Sequence, residues 1–364
     1  MTAEQGPSLA RVAAAPPDSL NWIASRVEQR LAGVLDAEQR RWAAFDADLD
    51  SPLAEIGRLV LAGGKRLRPA FCHWGFVGAG GDPDDPVVVD AGAALELLHA
   101  FALLHDDVMD GGDTRRGEPT THKVFESQHL AGGGLGEARR FGEGVAILVG
   151  DLAFVYADRL LLGAPAPAWE VWNELRIELN VGQVLDLLGS AGNERRWVKA
   201  ERISRYKSGK YTIERPLHLG ALLAAPELAG ELVPALSAYG LPLGDAFQMR
   251  DDVMGAFGDP ELTGKAVGGD LREGKPTPLM ALATERADAS QRAVLARVGA
   301  ADIDDADVAR IQQVLVDSGA LAELEQVIAR LAAEAIGALA GLPLTPAARD
   351  ELEQLAHYVS WRDA

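Results

Sequence analysis

Apolar residues recur three and four positions apart along most of this chain, the spacing of helices that bury one face. The pattern predicts helices over Leu20–Asp46, Asp90–Leu104, Val145–Leu162, Trp169–Leu188, Pro234–Met254 and Val308–Leu342. Alternating apolar and polar runs bounded by turn pairs, the mark of strands, are almost absent. Breaks fall at Gly/Pro/Asp clusters: Gly78–Pro86, Gly111–Pro119, Gly132–Gly136, Gly163–Pro167, Gly189–Asn193 and Gly255–Pro278. None has the composition of an interdomain linker. The expectation is a single all-α domain over residues 19–364 behind a disordered tail, residues 1–18. The span Gly255–Pro278 is too long for a plain connection, and its Asp259, Lys265, Asp270, Arg272 and Lys275 favour a working loop.

With 364 residues, 48% of them hydrophobic, the chain can bury a large core. A net charge of −19 argues against a nucleic-acid binder and makes any cluster of Lys and Arg informative. The one cysteine, Cys72, rules out an intrachain disulfide or a cysteine zinc site and points to a reducing, cytosolic setting. No uncharged apolar run reaches the roughly 18 residues needed to span a bilayer. Arg11 interrupts the only apolar segment before Pro17, which makes a poor signal peptide.

The tetrad Asp-Asp-Val-Met occurs twice, at Asp106–Met109 and Asp251–Met254. Each ends an apolar helical run, and the glycines that follow (Gly111-Gly112; Gly255) read as helix stops. Negative charge is unfavourable at a helix C-terminus, so two such clusters call for bound cations. At about 100° per residue, His99, Asp106 and Asp110 share one stripe, with Asp107 flanking it. Hard oxygen ligands at this spacing suit Mg²⁺, which bridges carboxylates to substrate phosphate. The plainer reading is a solvated acidic helix end. Basic groups stand nearby: the Arg115-Arg116 pair, and Gly63-Gly64-Lys65-Arg66-Leu67-Arg68, which sets Lys65 and Arg68 on one helical face behind a Gly-Gly entry. Gln248, Asp251 and Asp252 share a face. Lys265 and Lys275 flank a Gly-rich stretch able to close over phosphate. Lys207, Ser208 and Lys210 lie between the acidic helices; Gln183 and Asp186 are either a buried polar pair or direct participants.

From Gly63 to Pro278 the chain resembles the trans-isoprenyl diphosphate synthases, the polyprenyl synthetase family. The segments GGKRLRP, LLHDDVMD with its TRRG continuation, FQMRDD and GGDLREGK each look like a family motif, and they occur in order. The resemblance is to bacterial geranylgeranyl diphosphate synthases. It implies an all-α bundle around a deep central cavity, a homodimer, and Mg²⁺, three per active site. Carried over, Lys65, Arg68, His99 and Arg116 resemble the isopentenyl diphosphate site. Asp106 and Asp110, with Asp107 nearby, resemble the first metal cluster, and Asp251 the ligand of a further ion. Arg115, Lys207, Gln248, Lys265 and Lys275 correspond to groups that hold the allylic diphosphate (dimethylallyl, geranyl or farnesyl). Ser208 stands where many members have Thr, and Gly255 where many have a third Asp. Phe101, with Ala102 beside it, resembles the floor under the growing tail, and the unexpanded Asp106–Asp110 motif is similar to the twenty-carbon type. A farnesyl diphosphate synthase, a class I terpene cyclase and a non-catalytic partner subunit remain as alternatives; a cyclase would leave Lys65, Arg68 and Arg116 without purpose.

Overall fold

A computed structural model describes residues 15–258 and 268–362. Asp259, Lys265 and most of the expected tail lie outside them. The described helices are α1 (Asp18–Ala43), α2 (Asp50–Leu61), α3 (Leu67–Gly78), α4 (Pro86–Asp110), α5 (Thr121–Ala131), α6 (Ala138–Leu160), α7 (Ala166–Ala191) and α8 (Trp197–Ser204). A π-helical segment (Arg205–Glu214) then leads into α9 (Arg215–Ala224) and α10 (Ala229–Phe257). From residue 268 onward come α11 (Gly269–Glu273), α12 (Pro278–Arg286), α13 (Ala289–Leu295), α14 (Asp305–Asp317), α15 (Ala320–Leu339) and α16 (Pro346–Ser360). The only strands among the described residues are the two-residue β1 (Thr114–Arg115) and β2 (Glu118–Pro119), paired antiparallel.

Helix α4 organises the bundle. Every residue from Ala91 to Leu98 is buried, so this helix has no solvent face and must lie inside a ring of others. By length and composition it could cross a bilayer, with a mean hydropathy of 1.8, but 67% of that window is buried within the fold as a core helix. Asp85 caps its start by accepting from the Val87 amide, and Pro86 sits in the first turn. Gly111, at φ 65°, ends it in the left-handed conformation, as its sequence predicts. Helices α1, α3, α6 and α9 pack around it. Backbones of α3 and α9 touch: a Cβ on Gly220 would lie 1.9 Å from the Cys72 carbonyl oxygen. A second apolar cluster, with Leu279, Ile311, Leu315, Leu324 and Ile328, joins α12, α14 and α15 to the C-terminal half of α10.

Three expectations need correction. Gly255 does not stop its helix; α10 continues to Phe257 and ends at Gly258. The predicted helix Val308–Leu342 is two helices, turned apart at Gly319, whose φ is 77°. Lys65 and Arg68 do not share a helical face, because α3 begins only at Leu67 and Arg66 before it is left-handed at φ 49°.

Candidate functional site

Because α4 is buried from Ala91 to Leu98 and half-covered beyond, Asp106 near its C-terminus emerges inside the molecule, at a cleft of about 260 Å³. Asp106 faces this cleft, and Asp251 and Asp252 of α10 line it too. Each carboxylate of the first cluster is met by a cation. Lys207 Nζ lies 3.3 Å from Asp106 and 2.5 Å from Asp186. Gln183 donates to Asp106 at 2.9 Å. Gln183 and Asp186 both line the cleft. Arg115 forks onto Asp107 at 2.6–3.0 Å and approaches Asp106 at 3.8 Å. Lys275 Nζ is 3.8 Å from Asp110 and 3.6 Å from Asp270. Burial, then the neighbouring Asp106 charge, pushes the Asp110 carboxyl up to about 6. Burial also raises Asp106, but Lys207, Lys275 and Arg115 outweigh it and hold that carboxyl below its ordinary value.

The second acidic cluster is less compensated. Gln248 donates to one Asp252 oxygen at 2.9 Å, while the other, Oδ2, is buried without a partner. Burial, Asp270 and Asp251 drive the Asp252 carboxyl well above the usual range. Gly255 explains the crowding: a Cβ there would stand 1.9 Å from Asp270 Oδ2. The missing side chain lets the α11 carboxylate enter where the family's third Asp would project. An orphaned carboxylate oxygen amid hard oxygen donors fits a divalent cation such as Mg²⁺. Among the described residues no three acidic, His or Cys side chains already form a closed cage.

The basic side of the cleft is assembled from three elements. Arg68 donates to Thr212 at 3.1 Å and to the Tyr211 hydroxyl, over whose ring it lies at 4.2 Å. The Tyr211 hydroxyl, having accepted from Arg68, reaches His99 Nδ1 at 2.8 Å. Burial, then Arg68, Arg115 and Arg116, hold His99 neutral. Arg116 donates to the Gly63 carbonyl at 2.6 Å, which brings the GGKRLRP loop beside the Arg115-Arg116 turn. Lys65 stands on that loop. Arg68 Nε is buried and unpartnered. Four arginines, Arg68, Arg115, Arg116 and Arg66, act on this neutral imidazole, and such a field favours an anion.

The π-helical segment presents Lys207, Ser208 and Tyr211 to the cleft. Its wide turn rests on glycine contacts: a Cβ on Gly182 would lie 2.3 Å from the Lys207 amide, and one on Gly209 would lie 2.9 Å from Gly244. Widened turns of this kind concentrate at functional sites. Lys210 is no solvated residue; it is buried against Glu178. Phe101 does not line the cleft, whereas Ala102 and Leu103 do. Its ring packs behind them, 4.7 Å from Phe154 and 4.6 Å from His105.

Sequence reasoning missed Tyr211, Arg362 and the Arg66–Glu96 pair, and placed Asp270 only within a working loop. Arg66 and Glu96 are both only 4% exposed and bind each other at 2.5 Å; Arg66 also donates to Glu28 and to the Val60 carbonyl. The signal was a lone Glu96 inside the most apolar helix, which demanded a buried partner. This pair ties the left-handed Arg66 to α4 and so fixes Lys65 and Arg68 on either side of it.

An all-α bundle that gathers paired carboxylates and a cationic pocket around one cleft defines the isoprenoid-synthase class of protein. A family model described as polyprenyl synthetase matches residues 51–316, and the chain belongs to that family. It is 33% identical over 272 residues to a geranylfarnesyl diphosphate synthase of Aeropyrum pernix, covering 72% of this chain and 79% of that one. It is 31% identical over 314 residues to a (2E,6E)-farnesyl diphosphate synthase of Mycobacterium tuberculosis, covering 83% and 80%. A solved geranylgeranyl pyrophosphate synthase from Corynebacterium glutamicum, complexed with isoprenyl diphosphate and magnesium, is similar at a TM-score of 0.88 and 37% identity. That match covers 94% of this chain and 99% of the other. The protein is therefore a transferase of the isoprenyl diphosphate synthase kind, and its relatives are named for products of different length.

Removing Arg66 would strand Glu96 in the core. Arg66→Ala is expected to lower unfolding stability by about 3–5 kcal/mol in denaturant titrations. Arg66→Met combined with Glu96→Gln should recover most of that loss; equal stability of Arg66→Ala and the parent would show that the pair carries none.

Proposed function

We propose that the protein condenses isopentenyl diphosphate with an allylic diphosphate to make geranylgeranyl diphosphate, in a homodimer dependent on Mg²⁺. The observation that carries this reading is the convergence of Asp106 and Asp251, from distant helices, on one cleft shared with Lys207, Arg68 and Gln248. Asp106, Asp110 and Asp251 would hold the metal, whose chemistry is to neutralise charge on a departing diphosphate. Arg115, Lys207 and Lys275 grip the same leaving group, and their positions are fixed before reaction begins. Lys265 lies outside the described residues, and its assignment to this grip rests on the resemblance alone.

Lys65, Arg68, His99 and Arg116 take the second diphosphate and orient its terminal alkene toward the allylic carbon. Breaking the allylic C–O bond leaves a carbocation; the alkene forms the new C–C bond, and a proton then departs to the released diphosphate. Gln248 and Ser208, facing the cleft, stabilise the positive carbon through their oxygens. Apolar walls at Ala102, Leu103, Leu179 and Ile203 exclude water that would quench it. The cationic pocket around His99 disfavours a cyclase, which needs no second diphosphate. Asp270 beside Gly255 keeps a carboxylate where a partner subunit would have lost one. The buried free thiol of Cys72 fits a reducing cytosol.

Two exposed apolar rows support pairing with a second copy. Phe141, Leu148, Val155 and Leu162 recur every seven residues along and just past α6, and Ile177, Val181, Val184 and Leu188 follow on α7. Such spacing suits a helix–helix seam. Light scattering should report a dimer for the parent and a monomer for Leu148→Glu/Val184→Glu; a monomeric parent would reject this part.

The deciding assay supplies labelled isopentenyl diphosphate and each primer from five to fifteen carbons, with and without Mg²⁺, and measures chain length. A twenty-carbon product that vanishes in Asp106→Ala is expected, and hydrocarbon from farnesyl or geranylgeranyl diphosphate alone would instead indicate a cyclase. Phe101→Ala, which opens space toward Phe154, should lengthen the product by at least one five-carbon unit; an unchanged distribution would remove Phe101 as the floor.

A further inference from the structure

The π-helical segment carries two lysines three residues apart, and Lys207 alone has a place in the reaction described above. Lys210 enters a closed set of charges behind the cleft. It pairs with Glu178 of α7 and stands 3.6 Å from Glu214. Arg215 forks onto the same Glu178, with both hydrogen bonds at 2.7 Å. Ser237 of α10 donates to one Glu214 oxygen at 2.6 Å, while the other, Oε2, is buried with no hydrogen-bond partner. His218 completes the set, 3.4 Å from Arg215 and 3.2 Å from Ser237. Burial first, then Arg215 and Lys210, bring its imidazole down to about 3, so it adds no charge. Two cations stand against two carboxylates, and both cations share Glu178.

We propose that Glu178 is a positioning residue for prenyl transfer: by holding Lys210 and Arg215 at one end of the widened turn, it fixes the register in which Lys207 and Tyr211 meet the substrates. The inference rests on the prenyl-transfer reading above. Glu178, Gly182 and Asp186 stand four residues apart and share one face of α7. Along that face Glu178 takes Lys210, Gly182 leaves room for the Lys207 backbone, and Asp186 takes the Lys207 ammonium at 2.5 Å. Lys207 has to exchange Asp106 and Asp186 for diphosphate, so its own ties cannot hold the segment through the reaction. The ties to Glu178 lie behind the cleft and need not change. A π turn is rare and persists where contacts from outside over-determine it. Slippage into the ordinary α register turns each following side chain by about 100°. That rotation carries Tyr211 away from Arg68 and His99, which it now touches.

The test compares the parent, Glu178→Gln and Glu178→Gln/Lys210→Met as full chains. Each is assayed for kcat, for the KM of isopentenyl and farnesyl diphosphate, for binding of inorganic diphosphate with Mg²⁺ by calorimetry, and for stability in denaturant. Folded Glu178→Gln should raise both KM values and weaken inorganic diphosphate binding by about tenfold. Its kcat/KM should fall by about a hundredfold. Adding Lys210→Met leaves one cation against one carboxylate, and should restore stability but neither the KM values nor the diphosphate affinity. A residue that only balances buried charge would regain all of these, and that result overturns the proposal. So do parental KM values and diphosphate affinity in folded Glu178→Gln. Should neither variant fold, hydrogen exchange in the parent decides: amides of Lys207–Tyr211 that exchange as slowly as those of α7 support a fixed register, and fast exchange overturns it. A parent that makes no prenyl product, while Glu178→Gln still weakens diphosphate binding, defeats the functional reading and leaves this one standing.

Discussion

Carboxylates brought to the end of a fully buried helix must find cations, and this requirement shapes the protein around α4. The helix lies at the centre because it is apolar on every side. Its last turn therefore delivers Asp106 to an interior cleft, with the buried Asp107 and the more exposed Asp110 beside it. There each is matched from elsewhere: Asp106 by Lys207, Asp107 by Arg115, Asp110 by Lys275. Partners drawn from the short hairpin, the π-helical segment and the loop after α11 are thereby held to one point. Removing water from that point strengthens every one of these interactions.

The opposite wall answers the same physics with reversed sign. Arg66 is neutralised by Glu96, whereas among the described residues Lys65, Arg68 and Arg116 make no ion pair within 4 Å, and His99 stays neutral. Two non-glycine residues in the left-handed region, Arg66 at φ 49° and Arg116 at φ 53°, lie in the two turns that carry this charge. Such conformations persist where surrounding contacts over-determine them. Here the buried Arg66–Glu96 pair and the Arg116–Gly63 hydrogen bond do so.

Between the two walls the chain abandons the α-helix. The segment Arg205–Glu214 adopts the wider π turn, packed against Gly182 on one side and Gly244 on the other. This places Lys207 toward the acids while Tyr211 reaches Arg68 and His99. One segment so links the acidic and the basic side of the cleft. The same economy appears at Gly255, where an absent side chain admits Asp270 from α11.

Much of this was legible in the sequence, for a physical reason: helical period, capping glycines and charge clusters are local properties. The 3.6-residue rhythm located the long helices, Gly111 announced the end of α4, and the two Asp-Asp-Val-Met tetrads with their flanking basic motifs named most of the cleft residues. What only the tertiary structure decided is pairing over long range. Gly255 reads as a helix stop until Asp270 is seen to need its space. Phe101 reads as a cavity wall until Phe154 is found holding it behind Ala102. Lys65 and Arg68 share a face only if Arg66 is helical, and a buried Glu96 from another helix prevents that. Arg362 carries no local signal at all; its place on Asp251 follows from how α16 docks against α10, which no window of neighbouring residues encodes.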